Sequence, residues 1–322
     1  MSRSLASLAL ASAALLFLGA CGKKSTAPQG PTSHRFLLAW GTTGPGNGQF
    51  EFPAWVAVDD SAHVYVTESL GAVETGFQQR VQKFTSSGEF LASWDPTTVG
   101  DATFKAKGIA ATAAGDLYVC GVTSVRRLSR LGVVLDQWGS AGTADGQFLA
   151  ALAVAVDRVS GDFYVADTLQ NRVQRFTSAG SFVRAWGDTG SADGQFQAPQ
   201  GIVVDANQNV YVADTNNHRV QKFTHDGVWV KTWGTKGSAA GQFKYPGGIA
   251  VDADGNVYVT DSARGDNDLD LGNARVQVFT GTGTFVTQWD NGFGFPTGIG
   301  VDSGGNVYVA DNLHDRIQKF SN

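Results

Sequence analysis

Cysteine is nearly absent from this 322-residue chain, which contains only Cys21 and Cys120. If Cys21 belongs to an export signal, as argued below, Cys120 cannot form an internal disulfide and is expected to be a small apolar core residue. Stability must then come from packing. Basic residues are also few, because 24 lysines and arginines stand against 29 aspartates and glutamates. The net charge of −5 argues against DNA or RNA as a partner.

Catalytic and metal-binding signatures are lacking as well. The sequence has no G-x-S-x-G, no H-E-x-x-H and no Cys/His pair. Its five histidines occupy non-equivalent positions, so three of them cannot converge as zinc ligands; they are His34, His63, His218, His225 and His314. These absences favour a binding protein over an enzyme. A ring of loop carboxylates acting on a small ester or lactone stays open as an alternative.

The first twenty residues have the features of a cleaved export signal. Arg3 gives a positive start, Leu5–Phe17 is apolar, and Leu18-Gly19-Ala20-Cys21 is a small-residue cleavage site. The apolar stretch is too short to span a membrane. The last four residues resemble the bacterial lipobox, which implies cleavage before Cys21 and acylation of its sulfur. An ordinary signal peptide with an incidental cysteine is the alternative.

The residues after Cys21 are polar and rich in proline, glycine and serine, which is typical of a flexible tether. We therefore expect a signal peptide at 1–20, a lipidated cysteine with its disordered tether at 21–35, and a folded domain at 36–322. Two or three acyl chains would hold the protein stably at a membrane of the bacterial cell envelope. By resemblance to enterobacterial sorting, the lack of aspartate after the cysteine favours the outer membrane.

One phrase recurs six times along the rest of the chain. Its central tyrosines are separated by 53, 46, 47, 47 and 50 residues; they are Tyr65, Tyr118, Tyr164, Tyr211, Tyr258 and Tyr308. Each unit contains four short runs of β-branched or alternating residues, separated by turn sequences such as Asp252-Ala-Asp-Gly-Asn256. A period of this length with four strands per unit predicts an all-β fold, a β-propeller with four-stranded antiparallel blades.

The two ends of the repeat region are complementary. Residues 36–41 form an outer strand with no inner strands before it, whereas the last repeat stops after the third strand, Arg316–Phe320. Six tryptophans mark the outer strands: Trp40, Trp94, Trp138, Trp186, Trp233 and Trp289. The pattern therefore predicts six blades, with the N-terminal strand completing the last blade and removing its exposed edge.

At these residues the chain resembles the NHL-repeat family, whose units read roughly G-I-A-V-D, G-N-V-Y-V-A-D and N-x-R-V-Q-K-F. The clearest copies here begin at Gly201 and Gly248. The resemblance covers about 36–322 and implies a six-bladed ring. Some relatives of this fold, such as the peptidyl-amide lyases, use a histidine-bound zinc in the central channel.

An acidic residue and an arginine recur together between the second and third strands. Blade two has lost both members, leaving Gly121 and Ser124. Paired loss indicates structural charge pairs, because removing one partner alone would leave an uncompensated charge that costs about 3–5 kcal/mol. The pairs are Asp167/Arg172, Asp214/Arg219, Asp261/Arg275 and Asp311/Arg316, with Glu68/Arg80 in blade one.

Aromatic residues mark one arc of the ring as a candidate recognition surface. The residue before the Pro position at the start of each inner strand is aromatic in blades one, five and six, as Phe52, Tyr245 and Phe295, and alanine in the others, as Ala106, Ala150 and Ala198. Trp55 also replaces a glycine in blade one. The two long insertions, 69–79 and 262–274, fall in blades one and five. These aromatics could instead pack beneath the longer loops as satellite core.

The blade-five insertion carries alternating aspartates, Asp266, Asp268 and Asp270, as calcium loops do. The glycine comes one position late, however, and no bidentate acid follows at the expected distance. A solvated acidic loop is the simpler interpretation, with calcium as the alternative; no other cofactor is expected.

The sequence therefore favours a monomeric, lipid-anchored scaffold that binds an envelope protein, a peptide or a glycan. The alternative is a metal-dependent lyase or hydrolase acting on a small substrate. The ligand itself cannot be derived from the fold alone.

Overall fold

The computed structural model describes residues 34–68, 79–100, 104–262 and 273–322, and in them 24 strands form six four-stranded antiparallel sheets. Strand β1 (Phe36–Trp40) comes first. Blades one and two contain β2 (Pro53–Val58), β3 (Val64–Glu68), β4 (Val81–Phe84), β5 (Phe90–Trp94), then β6 (Ile109–Ala111), β7 (Leu117–Gly121), β8 (Ser124–Leu128) and β9 (Val134–Trp138). Blades three and four contain β10 (Ala151–Val156), β11 (Phe163–Asp167), β12 (Arg172–Phe176), β13 (Phe182–Trp186), then β14 (Pro199–Val204), β15 (Val210–Asp214), β16 (Arg219–Phe223) and β17 (Trp229–Trp233). Blades five and six contain β18 (Tyr245–Val251), β19 (Val257–Ser262), β20 (Arg275–Phe279), β21 (Phe285–Trp289), then β22 (Pro296–Val301), β23 (Val307–Asp311) and β24 (Arg316–Phe320).

The ring closes through its first strand. Sheet order in blade six is β1-β24-β23-β22, and Phe36 pairs with Phe320 while Trp40 pairs with Ile317. The six-bladed all-β fold and the completion of the last blade by the N-terminal strand are therefore confirmed.

Helix is confined to short segments within the described residues. The helix α1 (Pro96–Val99) follows blade one, where Asp95 caps it by accepting a hydrogen bond from the Thr98 amide. Single 3-10 turns follow the second strands of blades three, four and six, at Thr168–Gln170, Thr215–Asn217 and Asn312–His314. No helix in this part of the chain has the length and apolar character needed to cross a membrane.

Strand direction gives the ring two different faces. The loop face carries the connections that enter each inner strand and the connections between second and third strands. The turn face carries the tight turns between first and second strands and between third and fourth strands. On the turn face, Tyr211 donates from its hydroxyl to Asp205 Oδ2 at 2.9 Å, and Asp205 also accepts from the Asn207 and Asn209 amides. In blades one, four, five and six, the tyrosine and aspartate thus tie the turn to the buried core.

The core consists of clusters between neighbouring blades rather than one central mass. Tyr211, Trp233 and Phe243, for example, pack with Ile249 and Phe279 between blades four and five. The outer-strand tryptophan lies against a turn glycine of the next blade. A Cβ on Gly283, whose φ is +80°, would lie 2.8 Å from Trp233 Cδ2, so that only glycine fits.

The seam of the ring breaks this pattern. Trp289 of blade five faces blade six, where the chain ends before the corresponding turn. His34, just before β1, stacks on Trp289 with ring centroids 4.0 Å apart and an interplanar angle of 8°. It also meets Tyr258 edge-on at 5.5 Å. One imidazole therefore covers the tryptophan that a glycine turn covers elsewhere.

Candidate functional site

The acidic and arginine pairs are salt bridges at the inner side of the loop face. The acidic member is fully buried in every case. Their N–O separations are 2.6 Å for Arg80–Glu68, 3.5 Å for Arg172–Asp167, 2.7 Å for Arg219–Asp214, 3.2 Å for Arg275–Asp261 and 2.8 Å for Arg316–Asp311. Burial raises the pKa of Asp261 to about 6, although the nearby Arg275 guanidinium opposes that shift.

These arginines also hold the loop that enters each blade. The guanidinium of Arg219 donates to the carbonyl oxygens of Ser191, Ala192 and Gln195 at 2.7–2.8 Å. Gln221 adds a bond from its amide to the Gln195 carbonyl. Because its guanidinium donates to Asp214 and to these carbonyls inside the protein, Arg219 contributes to the scaffold rather than to a surface that binds phosphate.

Hydrogen bonds between neighbouring blades form a second set that the sequence pattern did not reveal. In blades three to six, the residue after the second-strand acid donates to the carbonyl of the proline that opens the next inner strand. The pairs are Thr168 to Pro199, Thr215 to Pro246, Ser262 to Pro296 and Asn312 to Pro53. The recurrence of Thr, Ser or Asn after the acid was the available signal. The acceptor could not be inferred, because it lies in another repeat.

Three of the four proposed recognition residues occupy adjacent blades on the loop face. Phe52, Tyr245 and Phe295 are each half-buried and directly precede Pro53, Pro246 and Pro296. The inner strands β18, β22 and β2 lie side by side and close together. A Cβ added to Gly248 of β18 would clash with the Thr297 carbonyl of β22, and a Cβ added to Gly298 of β22 would clash with Trp55 Cα of β2. The structure thus places the blades that carry these three aromatics next to one another.

The backbone at Phe52 is left-handed, with φ of +59°. Its amide donates to Asp315 Oδ1 at 2.9 Å. Ala198, at the same position of blade four, has φ of +52° and donates to Asn171 Oδ1 at 2.7 Å. Of the six equivalent positions, only these two are left-handed, and a non-glycine residue adopts this conformation at a cost of about 1–2 kcal/mol.

Trp55 points into the middle of the ring. Its side chain packs against the cluster between blades one and two and also against the cluster between blades three and four. To reach both, it must extend past the inner end of blade two. The equivalent residues in the other blades are small: Gly108, Ala153, Gly201, Gly248 and Gly298. Trp55 is therefore at least partly a packing residue, which the sequence comparison with glycine did not indicate.

A second contact across the centre of the ring, at the turn face, links blade three to blade one. Arg158 of blade three donates to Asp60 and, at 3.0 Å, to the Val58 carbonyl of blade one. The centre of the ring is thus crossed from blade one to blade three at two levels, by Trp55 and by Arg158.

The histidines serve local contacts in the structure. His218 contacts the Lys244 carbonyl through Nδ1 and meets Tyr245 edge-on at 5.4 Å, while His314 Nδ1 lies 2.9 Å from Asp311 Oδ2. Among the described residues, no three His, Cys, Asp or Glu side chains are grouped so that they could hold a metal ion. Asp266, Asp268 and Asp270 lie outside the described residues.

Sequence and structure comparisons agree on the architecture. The profile of the NHL repeat matches residues 196–223, 243–266 and 293–320, in blades four, five and six. No curated protein matches this chain in sequence. The sheet topology establishes a six-bladed β-propeller, and these matches show that its last three blades are similar to NHL repeats.

Solved structures with this fold have varied functions. A protein of unknown function from Bacteroides thetaiotaomicron superposes with a TM-score of 0.66 at 16% identity, covering 90% of this chain and 76% of that one. A gluconolactonase from Xanthomonas campestris gives 0.61 at 14%, covering 85% and 87%. Virginiamycin B lyase from Staphylococcus aureus, in a catalytically inactive form with a histidine changed to alanine, gives 0.55 at 13%, covering 86% and 97%. Identities this low show the fold alone.

Proposed function

We propose that this NHL propeller is a lipid-anchored scaffold that binds an envelope protein, a peptide or a glycan on the loop face of blades five, six and one. The fold supports a binding scaffold, and the lipobox-like Leu18-Gly19-Ala20-Cys21 supports an anchor in the cell envelope, with the outer membrane favoured. Acylation at Cys21 would hold the protein at the membrane.

The observation that carries this proposal is the set of aromatics at Phe52, Tyr245 and Phe295. Blades two and three use alanine at this position, and both alanines are buried. The blade geometry therefore does not need an aromatic ring there. Phe52 carries its ring on a backbone conformation that disfavours large side chains. Half-buried rings on three adjacent blades are suited to act as anchors for a partner.

Alanine substitutions test this surface, because alanine is the residue that other blades use. Partners captured from an envelope extract with the native protein are identified and purified, and their affinity is then measured for Phe52→Ala, Tyr245→Ala and Phe295→Ala. We expect each to weaken binding by about 2 kcal/mol, roughly 30-fold, with little change in melting temperature. Trp55→Ala would weaken binding too but is expected to lower stability, since the indole packs in the ring centre.

Ala198→Ser is the matched control, at the equivalent position of blade four, and it should leave affinity unchanged. If the three alanine variants unfold, or if they fold and bind like the native protein, these rings belong to the core and the binding surface lies elsewhere.

A propeller-type lyase or lactonase is the second candidate, supported by the fold shared with the gluconolactonase and the virginiamycin B lyase. Metal content of the purified protein separates the two proposals. A stoichiometric transition metal would favour the enzyme. Bound calcium would instead point to the proposed ligands Asp266, Asp268 and Asp270, and should be lost in Asp268→Asn.

A further inference from the structure

Exposed apolar side chains are concentrated at the turn face. Of fifteen large apolar residues that are exposed in the described part of the chain, twelve lie in turns of that face or in the first two residues of an outer strand. The other three, Leu149, Leu169 and Leu313, are on the loop face. Six of the twelve form what we call the turn-face patch, on the consecutive blades two, three and four: Leu131, Val133, Val159, Phe182, Val228 and Trp229.

Four aspartates of the turn face are withdrawn from the surface. Asp59, Asp157, Asp205 and Asp302 are buried and accept hydrogen bonds from the turns that they stabilise. Beside the patch, the exposed Asp60 and Asp226 are paired with Arg158 and Arg175, whereas Arg130 is an exposed basic side chain. Glu89 and Asp254 are exposed on blades one and five, outside the patch. An apolar rim whose nearby carboxylates are paired with arginines is compatible with a phospholipid surface.

The N-terminal segment enters the fold at this same face. Before β1, the Arg35 carbonyl accepts a hydrogen bond from the Ser321 amide, and His34 takes the place of a turn-face turn over Trp289. Between Cys21 and His34 stand 12 residues. They can span at most about 45 Å, so that an acylated Cys21 would limit the distance between His34 and the bilayer to that length.

We infer that the turn-face patch rests on the lipid surface that holds the anchor, so that the loop face points away from the membrane. This inference rests on the proposed lipid anchor. Trp229 would lie at the interface, the depth that tryptophan prefers, with aliphatic neighbours beside it. The candidate recognition arc would then face the aqueous side, where a partner can reach it.

Fluorescence quenching by brominated phosphatidylcholine tests the inference. The chain from Cys21 onward is coupled through the Cys21 thiol to a maleimide-lipid in vesicles; Cys120 is fully buried and does not compete. We expect quenching of tryptophan emission, at least half of it lost in Trp229→Phe. Leu131→Glu with Val159→Glu should reduce quenching at least 5-fold.

Leu169→Glu is the matched control, because Leu169 and Val159 are both 68% exposed but lie on opposite faces. It should leave quenching unchanged. The inference would be overturned if the native sequence showed no quenching, or if Leu169→Glu reduced quenching as much as the patch variant does. It would also be overturned if sedimentation showed that the patch mediates self-association instead. The mass of Cys21 from native membranes tests the anchor separately, since coupling supplies a lipid whether or not the cell does.

Discussion

The His34 imidazole lies in a buried environment that disfavours its protonated form. Burial lowers its pKa to about 4 from the ordinary 6.5, against a smaller opposite effect of Asp252. Between pH 6.5 and 4 the unfolded chain takes up a proton that the folded ring does not, so the free energy of unfolding falls as the pH falls. Allowing for partial exposure, we expect a loss of about 2 kcal/mol over that interval. Urea denaturation at pH 7.5, 5.5 and 4 measures it.

His34→Phe is the control, because phenylalanine keeps a ring on Trp289 but cannot be protonated. Asp261 titrates in the same interval with the opposite sign, since its raised pKa makes the folded state take up the proton first. Only the difference between the native protein and the variant therefore isolates His34. A difference that does not change with pH would show that His34 is protonated without cost in the fold.

Each charge pair lies within one blade, and blade two shows that a blade can lack both members of the pair. Arg219→Met would leave the Asp214 carboxylate buried without its cation, and we expect a loss of about 3–5 kcal/mol. Asp214→Gly combined with Arg219→Ser copies Gly121 and Ser124 of blade two. Because no unpaired charge remains, the double variant should lose less free energy of unfolding than the sum of the losses in Asp214→Gly alone and Arg219→Ser alone, by at least about 2 kcal/mol. Additive losses in denaturation would show that the two residues act independently.

Strand β1 carries the closure of the last blade. Deleting residues 34–41 removes Trp40 from the core cluster of blades six and one, uncovers Trp289 and leaves the β24 edge unpaired. We expect a loss of about 3–5 kcal/mol, the scale of truncating a large buried side chain. A synthetic peptide of residues 34–41 should restore part of the melting temperature. An unchanged melting temperature after the deletion would contradict the role assigned to β1.

At the scale of the elements, the repeat period was enough to predict strand number, blade number and closure. Each follows from local alternation, turn residues and the incomplete ends. The route of Trp55 and the bridge from Arg158 to Asp60, 98 residues apart, could not be predicted. Both depend on how far the inner strands stand from the ring axis, which no pattern inside one repeat encodes. Alignment of the repeats likewise located Phe52 but gave no sign of its left-handed backbone.

At the scale of the whole molecule, the Cys21 sulfur is expected to determine whether the protein is held at a membrane. Cys21→Ser should abolish acylation and move the protein from the membrane to the aqueous fraction after detergent partitioning, because the single remaining cysteine is buried in blade two. The folded domain should be unaffected, with the same melting temperature once the signal is removed. A Cys21→Ser protein that still fractionates with membranes as the native one does would refute the acyl anchor.

The position of β1 has a mechanical consequence. A pull transmitted through the N-terminal segment reaches the ring at His34 and Phe36, the first residues of the strand that completes the last blade. The pairs Phe36–Phe320 to Trp40–Ile317 would then be loaded one after another rather than together. Such peeling needs less force than shearing all pairs at once. An N-terminal tether under tension would therefore open the propeller at its seam while the other five blades keep their own covalent turns.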